Sequence, residues 1–142
     1  MPSMLPSPPL SRKSKIIFGV DDDRLNLNVL EAFVTHAGYT FMPFLSAKEC
    51  LMVIERVKPR LVLLDIQMPE MDGFETCRKF RALPGFERIP IIFVTALNTP
   101  VHVQQGMAAG GNDFILKPID KDRLVRRLEY WTGQPMRLAA TN

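Results

Sequence analysis

Five side chains that suit phosphate and metal chemistry stand where short apolar runs of this sequence end. They are Asp21, Asp22, Asp65, Thr95 and Lys117. Carboxylate oxygens are the hard ligands that suit Mg²⁺. Two carboxylates about 4 Å apart repel by roughly 4 kcal/mol at an effective dielectric near 20, so three in one pocket need a cation. The set predicts a carboxylate that accepts a phosphoryl group, which adds about −1.5 to −2 charges, beside Mg²⁺ and Lys117.

The apolar spacing predicts five strands that alternate with five helices, and the members of this set follow the first, third, fourth and fifth strands. The strands are predicted over residues 16–20, 39–44, 61–64, 89–94 and 114–116. The helices are predicted from about Leu27 to Gly38, Ser46 to Pro59, Gly73 to Leu83, Thr99 to Gly110 and Asp120 to Trp131, with N-caps at Ser46, Asp72 and Thr99. All five strands are expected to be buried on both faces, which indicates an α/β fold with a parallel sheet between two helical layers.

In such a sheet the ligand site lies outside the carboxyl ends of the strands, so the five side chains should converge at one edge. Simpler interpretations remain open. Asp65 can be an ordinary turn residue at a strand end, and Lys117 can pair with the acids only to stabilise the edge. Cys50 and Cys77 lack metal-ligand spacing and are expected to be free thiols.

The composition predicts one domain of residues 15–131 between two tails, a basic, proline-rich segment 1–14 and a C-terminal segment 132–142. The chain has 142 residues, 46% hydrophobic and 23% charged. Residues 1–15 hold three of the 18 basic residues and no acid, so the rest has 15 basic and 15 acidic residues. We therefore expect no direct nucleic-acid partner, and we expect Arg123, Arg126 and Arg127 to form a solvated face. No apolar run would span a bilayer or act as a signal peptide, so we expect a cytoplasmic protein without a membrane partner.

Over about residues 14–131 the chain resembles the receiver domains of two-component response regulators. The matching segments are Val-Asp-Asp-Asp at 20–23, Leu-Asp-Ile-Gln-Met-Pro-Glu-Met-Asp-Gly at 64–73, Val-Thr-Ala at 94–96 and Asp-Phe-Ile-Leu-Lys-Pro at 113–118. The resemblance implies a flavodoxin-like sheet of strand order 2-1-3-4-5 with helices on both faces. It also implies a signalling phosphoacceptor whose only enzymatic chemistry is self-phosphorylation and autodephosphorylation.

The resemblance further assigns individual roles. It implies that Asp65 takes the phosphoryl group from a histidine kinase or histidine phosphotransfer protein, and that Lys117 contacts the acyl phosphate. The implied Mg²⁺ ligands are Asp22, Asp65 and the main-chain carbonyl of Gln67, with Asp21 acting largely through water. Thr95 and Phe114 are the implied switch pair for a protein-interaction face. Its downstream target is unknown, and a phosphorylation-dependent homodimer is one use of such a face.

Two residues qualify the resemblance, and several alternatives stay open. Ala96 keeps the phosphate pocket open, and Phe114 offers no hydroxyl. About ten residues follow Trp131, so the chain is either a stand-alone regulator or a receiver excised from a larger protein such as a hybrid kinase. A phosphorylation-independent interaction module is the main alternative. A haloacid-dehalogenase-type phosphatase would need an acid where Gln67 stands, and a flavin phosphate would be repelled by the acids at 21–23.

Overall fold

The computed structural model of the chain describes residues 14–97 and 99–133. Its strands are β1 (Ile16–Val20), β2 (Thr40–Phe44), β3 (Leu61–Leu64), β4 (Ile91–Thr95) and β5 (Asp113–Leu116). Its helices are α1 (Arg24–His36), α2 (Ala47–Val53), α3 (Gly73–Ala82), α4 (Pro100–Ala108) and α5 (Lys121–Thr132). Of the two proposed tails, all but Ser14 and residues 132–133 lie outside the described residues, and Thr132 belongs to α5.

The strands form one parallel sheet in the order β2-β1-β3-β4-β5, which confirms the predicted topology. The central strands β1, β3 and β4 are buried almost throughout. The expectation that every strand is buried on both faces is wrong for the two edges. Thr40 and Pro43 are exposed on β2, and Leu116 is 37% exposed on β5. Each edge strand has a neighbour on one side only, so the helices cover it incompletely.

Two apolar clusters lie on the two sides of the sheet. One joins β-strand residues to α1 and α5 through Leu27, Leu30, Leu124 and Leu128. The other holds residues of α2 and α3 together with the rings of Phe18, Phe44, Phe80 and Phe93. The predicted layers are therefore present. Within the described ranges, no helix has the length and apolarity needed to cross a membrane.

The helix starts follow the capping signals in the sequence. The side chains of Ser46, Asp72 and Thr99 each accept a hydrogen bond from the main-chain N–H three residues later, which confirms the three predicted N-caps. A cap satisfies one of the amides that the first helical turn leaves without a partner. Two of these caps begin the helices that follow β3 and β4, so they also fix the loops next to Asp65 and Thr95.

Candidate functional site

The carboxyl ends of four strands bring the predicted side chains to one edge of the sheet. In the parallel register Val20 pairs with Leu64, so Asp21 and Asp65 follow neighbouring positions of β1 and β3. The ladder continues past the strand ends, because the N–H of Asp65 donates to the carbonyl of Val20 at 2.9 Å. At the other side, the N–H of Lys117 donates to the carbonyl of Thr95 at 3.0 Å. Main-chain hydrogen bonds therefore fix the backbone positions of Asp65 and Lys117, from which their side chains extend.

Three carboxylates meet at this edge. Asp21 is 1% exposed, Asp65 is 6% exposed and Asp22 is open to solvent. One oxygen from each lies within 4.8 Å of the others. Within the part of the chain that the structure describes, this is the group of acidic side chains whose oxygens are close enough to share one ion. An all-oxygen donor set with one solvent-exposed member fits Mg²⁺, which keeps several water ligands.

The two buried carboxylates have the same arrangement of partners. One oxygen of each is held by a nearby main-chain amide, Asp21 Oδ1 by the N–H of Asp23 at 2.9 Å and Asp65 Oδ1 by the N–H of Ile66 at 2.8 Å. The second oxygen of each faces Lys117, whose Nζ lies 2.9 Å from Asp21 Oδ2 and 3.5 Å from Asp65 Oδ2. Lys117 thus bridges the two acids.

One ammonium only partly compensates the negative charge of the pocket. Burial and the charge of Asp21 raise the pKa of Asp65 to about 6, although Lys117 and the Ile66 amide act in the opposite direction. Burial by itself would lower the pKa of Lys117, but the hydrogen bond to Asp21 and the charges of Asp65 and Asp21 together raise it. Lys117 therefore stays charged, and the pocket retains a site for further positive charge.

The loop after β3 approaches Asp65 closely. The N–H of Gly73 donates to the carbonyl of Ile66 at 2.8 Å. A Cβ atom on Gly73 would lie 2.3 Å from the carbonyl oxygen of Asp65, so only glycine fits at this position. Gln67 is exposed in this loop, and Glu70 adopts φ of 72°, a left-handed conformation that is uncommon outside glycine. The motif Met-Asp-Gly thus packs the start of α3 against the main chain of Asp65.

Thr95 and Phe114 lie on the same side of the sheet but not in direct register. Thr95 is 1% exposed, and its Oγ1 accepts a hydrogen bond from the N–H of Leu97 at 3.2 Å. Phe114 is half-buried and pairs across the strands with Phe93, with ring centroids 5.1 Å apart. Among the residues that the structure describes, no hydrogen bond takes up the Thr95 hydroxyl proton, which leaves this hydroxyl able to donate to an oxygen acceptor.

Asp113 and Arg127 have roles that the sequence did not indicate. Asp113 Oδ1 accepts from Arg127 Nη1 at 2.9 Å, and Asp113 Oδ2 accepts from Trp131 Nε1 at 2.8 Å. Arg127 Nη1 also donates to the carbonyl of Phe114 at 3.2 Å. The expectation that Arg127 is merely solvated is therefore wrong, because it ties α5 to β5. The four-residue spacing of 127 and 131 was the only local signal, since it puts both side chains on one helix face.

Comparison with known proteins gives a consistent picture. The family model for the response regulator receiver domain matches residues 17–129. The response regulator PleD of Caulobacter vibrioides is 37% identical over 116 residues, covering 82% of this chain but 26% of its own length. A 14.6 kDa protein of Leptolyngbya boryana is 36% identical over 115 residues, covering 81% of this chain and 88% of that protein.

Solved structures are similar over most of the chain. The receiver domain of the Pseudomonas aeruginosa sensor histidine kinase PA1611, which has a magnesium ion coordinated in its active-site cleft, is 30% identical. It aligns with a TM-score of 0.78 over 85% of this chain and 99% of that one. A response regulator receiver protein of Methanospirillum hungatei is 27% identical with a TM-score of 0.78, over 85% of this chain and 95% of that one.

Proposed function

Because the chain belongs to the response regulator receiver domain family, we propose that it is a phosphoacceptor whose phosphorylated side chain is Asp65. Receiver domains are signalling modules rather than classical enzymes, and they interact with histidine kinases or phosphotransfer proteins. The observation that carries the assignment is the position of the Asp65 carboxylate at the end of β3, beside Asp21 and 3.5 Å from the Lys117 ammonium.

The proposed reaction is transfer from a phosphohistidine to Asp65. A carboxylate oxygen of Asp65 forms a bond to phosphorus while the bond between phosphorus and the donor imidazole breaks, and the imidazole leaves with that electron pair. The acyl phosphate adds negative charge to a pocket that already holds Asp21 and Asp22. Lys117 counters that charge through its ammonium, and Thr95 donates its hydroxyl proton to a phosphoryl oxygen.

The carboxylates of Asp21, Asp22 and Asp65 would hold a Mg²⁺ ion, with the Gln67 carbonyl as a further ligand and Asp21 acting largely through water. When bound, the ion supplies positive charge that shields the acids from the incoming phosphoryl oxygens. The 4.8 Å cluster of carboxylate oxygens supports this assignment. The magnesium ion in the cleft of the PA1611 receiver supports it as well.

Phosphorylation is proposed to act on a protein-interaction face through Thr95 and Phe114. Drawing Thr95 toward Asp65 vacates space near Phe114, and α4, β5 and α5 then present an altered surface to a downstream protein or to a second copy of the chain. The domain is proposed to span residues 15–131 and to include Thr132 at the end of α5, with residues 1–14 and 133–142 as tails. The chain spans 26% of the length of PleD. The proposed switch is therefore also compatible with a receiver that controls an output domain elsewhere in a longer protein.

The assignment of Asp65 is tested by labelling with acetyl phosphate in Mg²⁺ and by transfer from a phosphorylated histidine donor. Asp65→Asn should abolish the acid-stable, base-labile acyl phosphate in both reactions, and excess chelator should abolish it in the unsubstituted chain. Asp122→Asn, an exposed acid in the first turn of α5, is the matched control and should label normally. Stoichiometric labelling of Asp65→Asn would refute the assignment. Labelling that is undiminished in chelator would refute the metal requirement.

A further inference from the structure

Helix α4 is anchored to the domain in an unusual way. Surface helices normally bury a stripe of apolar side chains. Of the nine residues of α4, the one that is buried is Gly106, which has no side chain to insert. The apolar side chains Val101, Val103 and Met107 are instead 60%, 36% and 40% exposed. The position of α4 on the sheet therefore depends on which atoms lie against Gly106.

Two aromatic rings lie directly beneath Gly106. A Cβ atom built there would be 2.6 Å from Cζ and 2.7 Å from Cε1 of Phe114, and 2.9 Å from Cε2 of Phe93. Real Cβ atoms essentially never approach other heavy atoms within 3.0 Å, so a methyl group at this position forces a ring to move. The missing side chain is thus what lets the half-buried ring of Phe114 lie under the helix.

Phe114 is the ring that is free to respond. Phe93 is fully buried, contacts the ring of Phe74 at 5.6 Å between centroids, and is also approached by Gly111, where a Cβ would lie 2.3 Å from Phe93 Cε2. Phe114, by contrast, is half-buried near the edge of the sheet. Displacement of Phe114 toward solvent therefore requires less rearrangement than displacement of Phe93.

The C-terminal end of α4 is also held by hydrogen bonds from Arg81. Arg81 Nε donates to the carbonyl of Gly110 at 2.9 Å, and Arg81 Nη2 donates to Asn112 Oδ1 at 2.8 Å. The N–H of Gly111 returns to the carbonyl of Gly106 at 2.9 Å. Movement of Phe114 would therefore displace the N-terminal part of α4, which follows Thr95, while the end at Gly110 stays fixed.

We propose that Gly106 is the positioning residue for Phe114, and that its lack of a side chain sets the balance between a ring-in state under α4 and a ring-out state in solvent. In this structure the Phe114 ring lies under α4, against Gly106 and Phe93. This inference deepens the proposed function, since it names the residue that sets the resting position of the switch aromatic.

The first test measures ring position in the unphosphorylated chain, where no phosphoryl chemistry is involved. In the unsubstituted protein, nuclear Overhauser contacts should join the Phe114 ring to the Gly106 α-protons and to the Phe93 ring. In Gly106→Ala the contacts between Phe114 and Phe93 should be lost. Gln104→Gly, on the exposed face of the same helix, lowers helix propensity without touching either ring and should leave those contacts intact. Unchanged ring contacts in Gly106→Ala would overturn the proposal.

The second test is rescue. Alanine is a better helix former than glycine, so without a ring beneath it Gly106→Ala should raise Tm. In the unsubstituted background we expect Tm to fall. In a Phe114→Leu background, where the two closest contacts are removed, Gly106→Ala should lower Tm by clearly less, because only the contact with Phe93 Cε2 at 2.9 Å remains. Equal losses of Tm in both backgrounds would overturn the role of Phe114. If Gly106→Ala alone does not fold, the double variant decides. Folding of the double variant supports the proposal. Its failure to fold, when Phe114→Leu by itself folds, overturns the proposal.

The third test links ring position to phosphoryl binding. If beryllofluoride binds the ring-in state, reducing that state to about a tenth of the population should weaken its apparent affinity about tenfold. Gly106→Ala should show this loss, and Gln104→Gly should not. If beryllofluoride bound the unsubstituted chain and Gly106→Ala with equal affinity, the coupling between ring position and phosphoryl binding would be overturned. If beryllofluoride did not bind even the unsubstituted chain, that result would count against Asp65 as phosphoacceptor. The measurement of ring position would still test the role of Gly106.

Discussion

Replacing Asp65 with asparagine should make the metal-free chain more stable at neutral pH. Asp65 is an acid whose pKa in the folded protein is raised, from 3.8 to about 6, by burial and by the charge of Asp21. The folded state therefore binds this proton more tightly than the unfolded state does. The linked stability is fully present below pH 3.8, and it is lost as pH rises through about 6. Asparagine keeps the shape and carries no charge.

The size of the effect follows from the same shift. A shift of one pKa unit corresponds to about 1.36 kcal/mol, so a shift of about two units corresponds to roughly 3 kcal/mol as an upper bound. Asparagine can still accept the hydrogen bond from the Ile66 amide, and Lys117 keeps its closer partner, Asp21, at 2.9 Å. We therefore expect Asp65→Asn to raise the free energy of unfolding by about 1 to 3 kcal/mol above pH 6.5.

Denaturant unfolding in chelator, from pH 3.5 to 7.5, measures the difference between Asp65→Asn and the unsubstituted chain. That difference should be near zero at the acidic end and should grow to its full size by about pH 7. Mg²⁺ should shrink it, because a ligand that binds the folded state stabilises the unsubstituted chain by mass action. Asp122→Asn should show none of this pH dependence. A gain that is absent, or that is constant across the pH range, would refute the reasoning.

Three further predictions concern the switch, the framework and the partners. Thr95→Ala should leave labelling of Asp65 largely intact but weaken the beryllofluoride response of α4 resonances, and an undiminished response would exclude the hydroxyl from the switch. Arg81→Met should lower the free energy of unfolding by about 2 to 4 kcal/mol, because a half-buried guanidinium loses four hydrogen bonds, and chemical denaturation measures it. Duplex DNA binding should be weak, independent of sequence, and lost at physiological salt when residues 1–15 are removed, whereas tight sequence-dependent binding in a gel-shift assay would contradict the charge argument.

The sheet and the acidic site were predictable from sequence because both depend on local patterns. Strands buried on both faces appear as continuous apolar runs, as in Leu61–Leu64, and a polar residue directly after such a run lies at the carboxyl edge of a parallel sheet. The partial exposure of β2 was missed because Pro43 lies among apolar residues, and the sequence does not show that β2 is an edge strand. The cap at Asp72 was predictable because its partner amide is three residues away.

The remaining features depend on contacts between segments that are distant in sequence. Arg81 satisfies its guanidinium with main-chain carbonyls and an amide oxygen, up to 31 residues away, and no carboxylate marks the site. Gly106 resembles any tolerated helix glycine until the rings beneath it are located. Arg127 lies among other basic residues, as on a solvated helix face, but Asp113 on β5 accepts its hydrogen bond. Such partners become visible only once strand register and helix position are known.

The register of β4 and β5 constrains how phosphorylation could reach the proposed interaction face. Thr95 pairs with Leu116, whereas Phe114 pairs with Phe93. Side chains two residues apart point to the same face of a strand, so Thr95 and Phe114 are diagonal neighbours, about 7 to 8 Å apart at the backbone. A shift of Thr95 toward Asp65 therefore cannot push the Phe114 ring directly; it can only open space along the diagonal. The Phe93 ring is fully buried, and Gly106 lies against both this ring and that of Phe114, so in the proposed switch a movement of Phe114 would have to pass these two residues. The sensitivity of the switch should thus be governed as much by the helix residue above the rings as by the hydroxyl that binds the phosphoryl group.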